Sequence, residues 1–247
     1  VIGTMQLLAA CQRSEHVKKV VIRSSSAVYG IDPSSPSVLP EDWSAKGAHL
    51  GYSSDVYDAE TYARDFGRRR ADVTLSILRM TNVLGPTVET NMTQFFSLPL
   101  IPTPLGFDPR LQFLHEDDAI EVLRRAVIEE HPGVFNVAPD GVVYLSQAAR
   151  IARRLQLPIP SQLAGFIGGI LSKAGVVDFP SDQLTLVVHG RVIDNARLKE
   201  VFGYEPKYST VETLREFVAT RGREVVGPPL LAEIEERIYD AVLGPSR

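Results

Sequence analysis

Short apolar runs rich in β-branched residues alternate with helical periodicities along the first part of this chain of 247 residues. Residues 19–24 and 73–80 have the length and composition of buried parallel strands. Residues 1–13 and 53–69 instead carry apolar positions at the spacing that forms one face of a helix. The alternation predicts an α/β fold in which helices cover a doubly wound parallel sheet with right-handed crossovers.

The alternation continues through the rest of the chain with one interruption. Residues 86–109 contain five prolines and no clear period, which predicts a functional loop at the carboxyl end of a strand. After a strand at 111–115, we expect Asp117 or Asp118 to cap the next helix. The remaining predicted elements are that helix, running to about residue 130, a strand at 134–137, and helices at 145–155, 194–203 and 228–243.

The charge balance and the single cysteine exclude several classes of protein. The sequence has 26 Lys and Arg against 30 Asp and Glu, and a net charge of −4 argues against a general nucleic-acid-binding protein. A lone Cys11 cannot form an internal disulfide and is typical of a reducing compartment, so we expect a cytoplasmic protein. The sequence contains no apolar run of the length that crosses a bilayer, and it therefore predicts no membrane span.

Several motifs follow one another in order. Residues 24–30 (Ser-Ser-Ser-Ala-Val-Tyr-Gly) close the first strand, and Tyr52 comes after a loop. Residues 78–86 contain Leu-Arg, Asn and Gly-Pro, and residues 112–118 read Gln-Phe-Leu-His-Glu-Asp-Asp. In this order the motifs resemble those of the extended short-chain dehydrogenase/reductase family, the NAD-dependent epimerases and dehydratases of nucleotide sugars. The resemblance is strongest to actinobacterial members described as UDP-glucose 4-epimerase-like.

The resemblance implies a Rossmann-like domain that holds NAD or NADP and a small lobe that binds a nucleotide sugar. Family members open with a glycine-rich strand–turn–helix that this sequence does not contain. We therefore expect a fragment with a partial Rossmann-like sheet, whose N-terminal strands are missing. The implied division is a Rossmann remnant at 1–86 and 111–137, a substrate-binding lobe at 87–110 and 138–222, and a helical tail at 223–247. Short-chain relatives often dimerise through two helices, and residues 53–69 would be one of them in a homodimer.

The resemblance also assigns roles to individual residues. In the family, a tyrosine phenolate moves a proton on a sugar hydroxyl while hydride passes to or from the nicotinamide, and a serine or threonine bonds the same oxygen. The implied roles are catalytic for Ser25 and Tyr52, cofactor-binding for Ser24, Asn82 and Val83, substrate-binding for Ser26, Asn82 and Arg110, with no metal ligand.

Two of these assignments keep an alternative. The serines at the strand end could serve only to satisfy backbone groups. Arg110 is displaced by one position from the family pattern, which would turn its side chain to the opposite face of a strand. Phosphate binding by Arg110 therefore stays open beside a purely structural role.

Two other clusters have structural interpretations. Residues 115–118 combine a histidine with three carboxylates, which are common metal ligands. At a strand-to-helix junction, we interpret them as a satisfied histidine and capping aspartates. Glycines at 165, 168 and 169 resemble a dinucleotide-binding loop, but the strand that must precede such a loop is missing, so we interpret them as part of a packed helix.

The lysine of the family pattern Tyr-x-x-x-Lys is absent. Val56 stands four residues after Tyr52, and no other tyrosine of the chain has a lysine at that spacing. An unperturbed tyrosine has a pKa near 10, and lowering it to about 7 requires roughly 4 kcal/mol of differential stabilisation. A nearby cation usually supplies that stabilisation, whereas the neighbouring Asp55 would oppose it. We therefore expect weakened hydride chemistry.

Two alternative functions remain open at this point. The loss of the lysine also fits a non-catalytic NAD(P)-binding scaffold or sensor, which would bind the cofactor without turnover. The apolar stretch 163–171, together with the displaced Arg110, fits an oxidoreductase that acts on a lipid or sterol alcohol.

Overall fold

Helices and strands alternate along the chain, as the sequence pattern predicts. The structure, a computed structural model, describes residues 1–30, 32, 34–44, 51–98, 100–160 and 190–221. Within these ranges the elements are α1 (Ile2–Arg13), β1 (Lys19–Ser25), a 3₁₀ turn (Ser26–Tyr29), α2 (Tyr52–Arg69), β2 (Thr74–Met80), β3 (Asn82–Leu84), α3 (Asn91–Ser97), β4 (Leu100–Pro104), β5 (Arg110–Leu111), β6 (Phe113–His115), α4 (Glu116–Ile128), β7 (Gly133–Val137), β8 (Val143–Tyr144), α5 (Leu145–Ile151), β9 (Leu155–Ile159), α6 (Ala196–Glu200) and α7 (Thr210–Arg221).

A parallel sheet with the strand order β1–β2–β7 lies at the centre. Ser25 pairs with Met80, and Met80 pairs with Val137, so the carboxyl ends of all three strands meet at one edge. Successive residues of a strand point to opposite faces. Ile77 accordingly packs with residues of α1 and α2, while Leu78 packs with residues of α4 and α6. Helices on both faces confirm the predicted doubly wound α/β arrangement.

A second hydrophobic cluster forms beside the central sheet. Three short strand pairs contribute to this part of the molecule: β3 with β6 and β4 with β9 in parallel, and β5 with β8 antiparallel. Phe95 and Phe96 of α3 are each 1% exposed, and Phe96 meets Phe113 edge-to-face at a centroid distance of 5.5 Å. Leu214 and Phe217 of α7 belong to the same cluster. Large buried aromatic rings of this kind supply much of a core's stability.

The segment 86–109 is not the loop that its prolines predicted, because it contains α3 and β4. Thr90 caps α3: its hydroxyl accepts from the N–H of Thr93, and the Thr93 hydroxyl accepts from the N–H of Thr90. Pro102 and Pro104 lie inside β4. Among the described residues β4 pairs only with β9, and an edge strand tolerates proline because one side needs no N–H donors.

The predicted caps of α4 are also corrected. The helix begins at Glu116, and His115 caps it by accepting the N–H of Asp117 on Nδ1 at 3.1 Å. Asp118 is fully buried and accepts the Tyr204 hydroxyl at 2.6 Å. That tertiary contact commits the carboxylate elsewhere, so it does not cap the helix.

Two later helices are shorter than predicted. α5 ends at Ile151, because the chain reverses at Arg153, whose φ is 54°, and enters β9. α6 ends at Glu200, and Gly203, with φ 74°, lies just beyond it.

Several predicted features fall outside the residues that the structure describes. These are the apolar stretch 163–171, the glycines at 165–169, the helix 228–243 and the rest of the tail 223–247. None of the described helices combines the length and apolar character that crossing a bilayer requires.

Candidate functional site

The predicted catalytic serine lies at the carboxyl edge of the central sheet. Ser25 is the last residue of β1 and is half-buried. Its hydroxyl oxygen accepts the N–H of Ala27 at 3.2 Å, which starts the 3₁₀ turn. In parallel α/β sheets, ligands bind beyond this edge, where the chain leaves the strands.

The predicted catalytic tyrosine is brought to the same edge by a helix start. Tyr52 is the first residue of α2 and is 37% exposed. The neighbouring Ser53 is buried and donates its hydroxyl to the Ala27 carbonyl at 2.8 Å. Since Ala27 also bonds Ser25, this contact ties the first turn of α2 to the turn that follows β1. Two residues from separate motifs are thereby brought to one end of the sheet.

Ser24 and Ser26 are less exposed than Ser25. Both are buried, and alternation along β1 turns Ser24 away from Ser25. The Ser24 hydroxyl donates to Oε1 of Glu60 on α2 at 2.5 Å. The Ser24 hydroxyl is thus bonded to a side-chain carboxylate, whereas the serine that satisfies a backbone group, the Ala27 N–H, is Ser25.

The buried Glu60 starts a polar network beneath the site. Its carboxylate accepts hydrogen bonds from Arg79 of β2, at 3.0 and 3.2 Å from Nε and 2.8 Å from Nη2. Arg79 also donates to the Tyr29 hydroxyl at 2.9 Å, and Tyr29 donates to Oδ1 of Asn136 at 2.7 Å. The network links α2, β2, the 3₁₀ turn and β7, so it fixes the elements that carry the site residues.

Electrostatics within this network favour a neutral Tyr29 and a charged Arg79. Burial raises the pKa of the Tyr29 phenol, although Arg79 opposes the shift. Burial disfavours the charge on Arg79, but the hydrogen bonds and charge attraction of Glu60 and Tyr29 together outweigh it, and the pKa of Arg79 is raised. The arginine in β2, a mostly apolar strand, was the sequence signal for this network, and the sequence did not indicate its partner.

The predicted binding residues lie on the strands after β2. Asn82 begins β3 and is half-buried, while Val83 is 8% exposed within the core cluster that also holds Leu114. Arg110 lies on β5 and donates from Nη2 to the Ser37 carbonyl at 2.9 Å.

Val56, at the family's lysine position, lies against an apolar cluster. That cluster contains Val28, Tyr29, Leu39, Ala138 and Ile193, and Val56 packs against it from α2. The position is therefore shaped for a hydrocarbon side chain, and it brings no charge to Tyr52.

A cation that the sequence analysis missed reaches the turn on which the start of α2 is anchored. Arg191 donates from Nη1 to the carbonyl of Gly30, the residue that ends the 3₁₀ turn, at 3.2 Å. Its Nε is shielded from solvent and has no hydrogen-bond partner among the described residues. Burial lowers the pKa of the Arg191 guanidinium to about 10, and attraction to the Tyr52 phenolate opposes this shift. The segment that carries Arg191 is remote in sequence, so no local pattern could indicate it.

The histidine–carboxylate cluster is divided among structural contacts. His115 stacks on Tyr208 with ring centroids 3.9 Å apart. The Glu116 carboxylate accepts the backbone N–H groups of Thr87 and Val88 at distances of 2.6 to 3.2 Å. In the part of the chain that the structure describes, no group of three or more His, Cys, Asp or Glu residues could hold a metal ion.

Comparisons with known sequences identify relatives of this chain. A sequence model described as the NAD dependent epimerase/dehydratase family matches residues 1–138. An uncharacterized protein of Mycobacterium tuberculosis (strain ATCC 25618 / H37Rv) is 39% identical over 223 residues, which cover 90% of this chain and 59% of the relative. UDP-glucuronic acid decarboxylase 2 of Arabidopsis thaliana is 26% identical over 239 residues, or 92% of this chain and 49% of that protein. The chain thus spans less than two thirds of the length of these relatives.

Solved structures share the fold at lower sequence identity. MoeE5 in complex with UDP-glucose and NAD superposes with a TM-score of 0.68 at 19% identity, covering 90% of this chain and 71% of that one. This likeness confirms a Rossmann-like arrangement of the described elements.

Proposed function

Because the chain belongs to the NAD-dependent epimerase/dehydratase family, we propose that the protein binds NAD or NADP together with a nucleotide sugar at the carboxyl edge of its parallel sheet. The relatives support this proposal: MoeE5 is described in complex with UDP-glucose and NAD, and the Arabidopsis relative is named a UDP-glucuronic acid decarboxylase. The protein's own hydride chemistry is slow, because a valine occupies the lysine position.

One observation carries the proposal. The hydrogen bond from Ser53 to the Ala27 carbonyl fixes the start of α2 on the turn that follows β1. Ser25 and Tyr52 then lie at the same edge of the sheet, where they can supply a hydroxyl and a phenol to one substrate. This pairing is what proton transfer to or from a sugar hydroxyl requires.

Ser25 and Tyr52 have complementary roles in this site. The Ser25 oxygen already accepts from Ala27, which leaves its own proton to donate to a substrate oxygen. Tyr52, partly exposed, takes the proton of the reacting hydroxyl and later returns it. The nicotinamide supplies the hydride acceptor when it is bound, and a positioned acid–base group of this kind contributes typically 10² to 10⁴-fold.

The remaining predicted residues serve binding. Asn82 and Val83 line the edge beside β2 and contribute to cofactor binding, with Asn82 also reaching the substrate. Ser24 contributes to cofactor binding indirectly, from within the sheet, because its hydroxyl donates to Glu60. Ser26 and Arg110 complete the substrate side, where residues 87–110 and 138–222 form the substrate lobe and 1–86 with 111–137 the cofactor domain.

A homodimer is part of the same proposal. α1 and α2 border a groove of about 410 Å³ whose lining includes Met5, Leu8, Tyr62 and Phe66. A second copy of this chain would cover the groove with the same two helices. Light scattering coupled to size exclusion tests it, and a Tyr62→Glu variant that leaves the mass unchanged at a dimer would contradict this interface.

A second candidate is a binding protein without turnover. The packing of Val56 against the apolar cluster favours it, because the family's charge is missing from the position next to Tyr52. In that case, cofactor and nucleotide sugar bind, but the sugar is released unchanged.

Calorimetry and product analysis on the full-length protein separate these functions. We expect NAD or NADP to bind, UDP-glucose or UDP-glucuronic acid to bind to the loaded protein, and product to form slowly. Tyr52→Phe should retain binding and lose turnover, while the matched Tyr57→Phe on the same helix should keep both. Binding with no product in the wild type would favour the second candidate. Failure to bind any nucleotide sugar would contradict the proposal, and turnover of an apolar alcohol would replace it.

A further inference from the structure

Gly190, the residue before Arg191, packs closely against β5. Gly190 has a φ of 63°, a left-handed conformation that favours glycine. A Cβ at this position would lie 2.7 Å from both the backbone nitrogen and the backbone oxygen of Arg110. The chain therefore approaches β5 more closely than any residue with a side chain could, which fixes the start of the segment.

The residues after Arg191 are held on two sides. Gln112 accepts the N–H of Ile193 at 2.9 Å and donates to its carbonyl at 3.3 Å. Leu39 donates to the carbonyl of Val192 and accepts the N–H of Asp194, both at 2.9 Å. Arg191 thus leaves a backbone that is clamped before and after it, so its direction is determined by the fold.

The same turn anchors Arg191 and the start of α2. Arg191 donates from Nη1 to the Gly30 carbonyl at 3.2 Å, and Ser53, the residue after Tyr52, donates to the Ala27 carbonyl at 2.8 Å. Gly30 also donates its N–H to the Ala27 carbonyl at 2.9 Å, so both contacts lie on one short turn. The guanidinium and the first turn of α2 therefore meet at this turn, in agreement with the attraction between Arg191 and the Tyr52 phenolate.

Arg191 also retains hydrogen-bonding capacity. Among the described residues, Arg191 donates one hydrogen bond, to the Gly30 carbonyl, and its shielded Nε has no partner. A buried donor without an acceptor is costly, and natural proteins retain such groups where they have a further task.

We propose that Arg191 is the positioning cation of this site, and that it replaces from a distant segment the positive charge that the family places at position 56. It stabilises the phenolate of Tyr52 and thereby supports the residual proton transfer. This inference rests on the proposed function for its catalytic consequence, but not for its electrostatic one.

Other ionisable groups near the first turn of α2 act differently. Asp55 lies on the same turn and disfavours a phenolate by like-charge repulsion. Tyr29 on the adjoining 3₁₀ turn is committed to Arg79 and Asn136. Arg64 lies three turns farther along α2 and is paired with Glu60. Among these groups, Arg191 is the cation that bonds the turn beside the start of α2, through the Gly30 carbonyl.

The first test measures turnover of the full-length protein against pH. Arg191→Gln should lower kcat about tenfold at neutral pH and move the rising limb of the profile up by about one unit, since one unit is a tenfold change in phenolate. Arg191→Lys keeps the charge and should remain within about threefold of wild type. Arg23→Gln, an exposed arginine on β1, is the matched control and should change neither quantity.

An unchanged pH profile would overturn the proposal. In particular, a variant that raises only KM for the nucleotide sugar would mean that Arg191 binds the substrate's anionic part. Melting curves come first, and Arg191→Met replaces Arg191→Gln if the glutamine variant does not fold.

The second test needs neither cofactor nor substrate, so it stands even if the proposed function fails. Phenolate absorbance is followed during an alkaline titration of the wild type and of Arg191→Gln, and each is compared with the same chain carrying Tyr52→Phe. The component that Tyr52→Phe removes should titrate at higher pH once Arg191 is neutralised. Identical titration of this component in both backgrounds would overturn the proposal.

Discussion

Glu60 and Arg79 form a bidentate ion pair between α2 and β2, and 2% and 5% of their respective surfaces are exposed. Nε and Nη2 of the guanidinium meet the two carboxylate oxygens at 3.0 and 2.8 Å. Such parallel hydrogen bonds fix orientation as well as distance. The pair therefore sets the position of the helix that begins with Tyr52 relative to the strand that ends before Asn82.

Neutralising this pair should be strongly destabilising. Glu60→Gln leaves a buried guanidinium without its counter-charge, and breaking a buried pair in this way costs about 3–5 kcal/mol. Urea unfolding of the variant should show this loss against the wild type. Glu200→Gln, on the exposed last residue of α6, should stay within about 0.5 kcal/mol. A similar small loss for Glu60→Gln would mean that the pair does not hold α2 in place.

Local sequence patterns predicted the central sheet well. β1, α2 and β2 were each recognisable because one buried face imposes a period on the residues that form it. The prolines of the segment 86–109 predict a loop, because proline usually marks loops, whereas Pro102 and Pro104 lie in an edge strand. His115 was missed as a cap because the carboxylates beside it are the commoner residues in that role.

The sequence predicted only some of the residues of the candidate site. Ser25 and Tyr52 stood out because each belongs to a recognisable motif, and the fold brings them to one edge. Glu60 and Arg191 did not stand out, because each acts through a residue from another part of the chain. Glu60 pairs with Arg79, and Arg191 interacts with Tyr52. A missing lysine can be read from a sequence, but a cation supplied by another segment can only be seen in the folded protein.

Gly190 should be intolerant of a side chain. In Gly190→Ala the left-handed conformation costs roughly 1–2 kcal/mol, and the Cβ also meets the Arg110 backbone, which cannot move aside as a flexible side chain would. Gly106→Ala is the matched control, because its φ is also positive, at 95°, but nothing lies within 4 Å of the added carbon. Thermal melting should show a larger loss for Gly190→Ala, and equal losses would contradict the close approach.

The acid side of the stability curve should depend on Glu121. Hydrogen bonds from Arg124 and Arg125 lower the pKa of Glu121 to about 2. A carboxyl group with a lowered folded pKa stabilises the protein fully above its unfolded pKa, near 4.3, and loses that contribution as the pH falls toward about 2. Glu121→Gln should therefore flatten the fall in unfolding free energy across this window. Urea titrations at several pH values between these limits measure the slope, and an unchanged slope would contradict the assignment.

Restoring the family's lysine should accelerate turnover at some cost in stability. Val56 is half-buried against the cluster that contains Val28 and Ile193, so Val56→Lys sacrifices apolar contacts worth about 1–2 kcal/mol. Its ammonium would lie one helical turn from Tyr52, where each unit of downward pKa shift multiplies the phenolate fraction about tenfold.

We therefore expect kcat at neutral pH to rise about tenfold in Val56→Lys, with a lower melting temperature. Val56→Met is the matched control, because it lengthens the side chain without adding charge, and its kcat should stay near that of the wild type. The gain in kcat should be larger in the Arg191→Gln background, because the added ammonium then does not share its effect on Tyr52 with Arg191. A Val56→Lys variant that folds and binds the nucleotide sugar but gains no activity would mean that the missing lysine is not what slows the reaction.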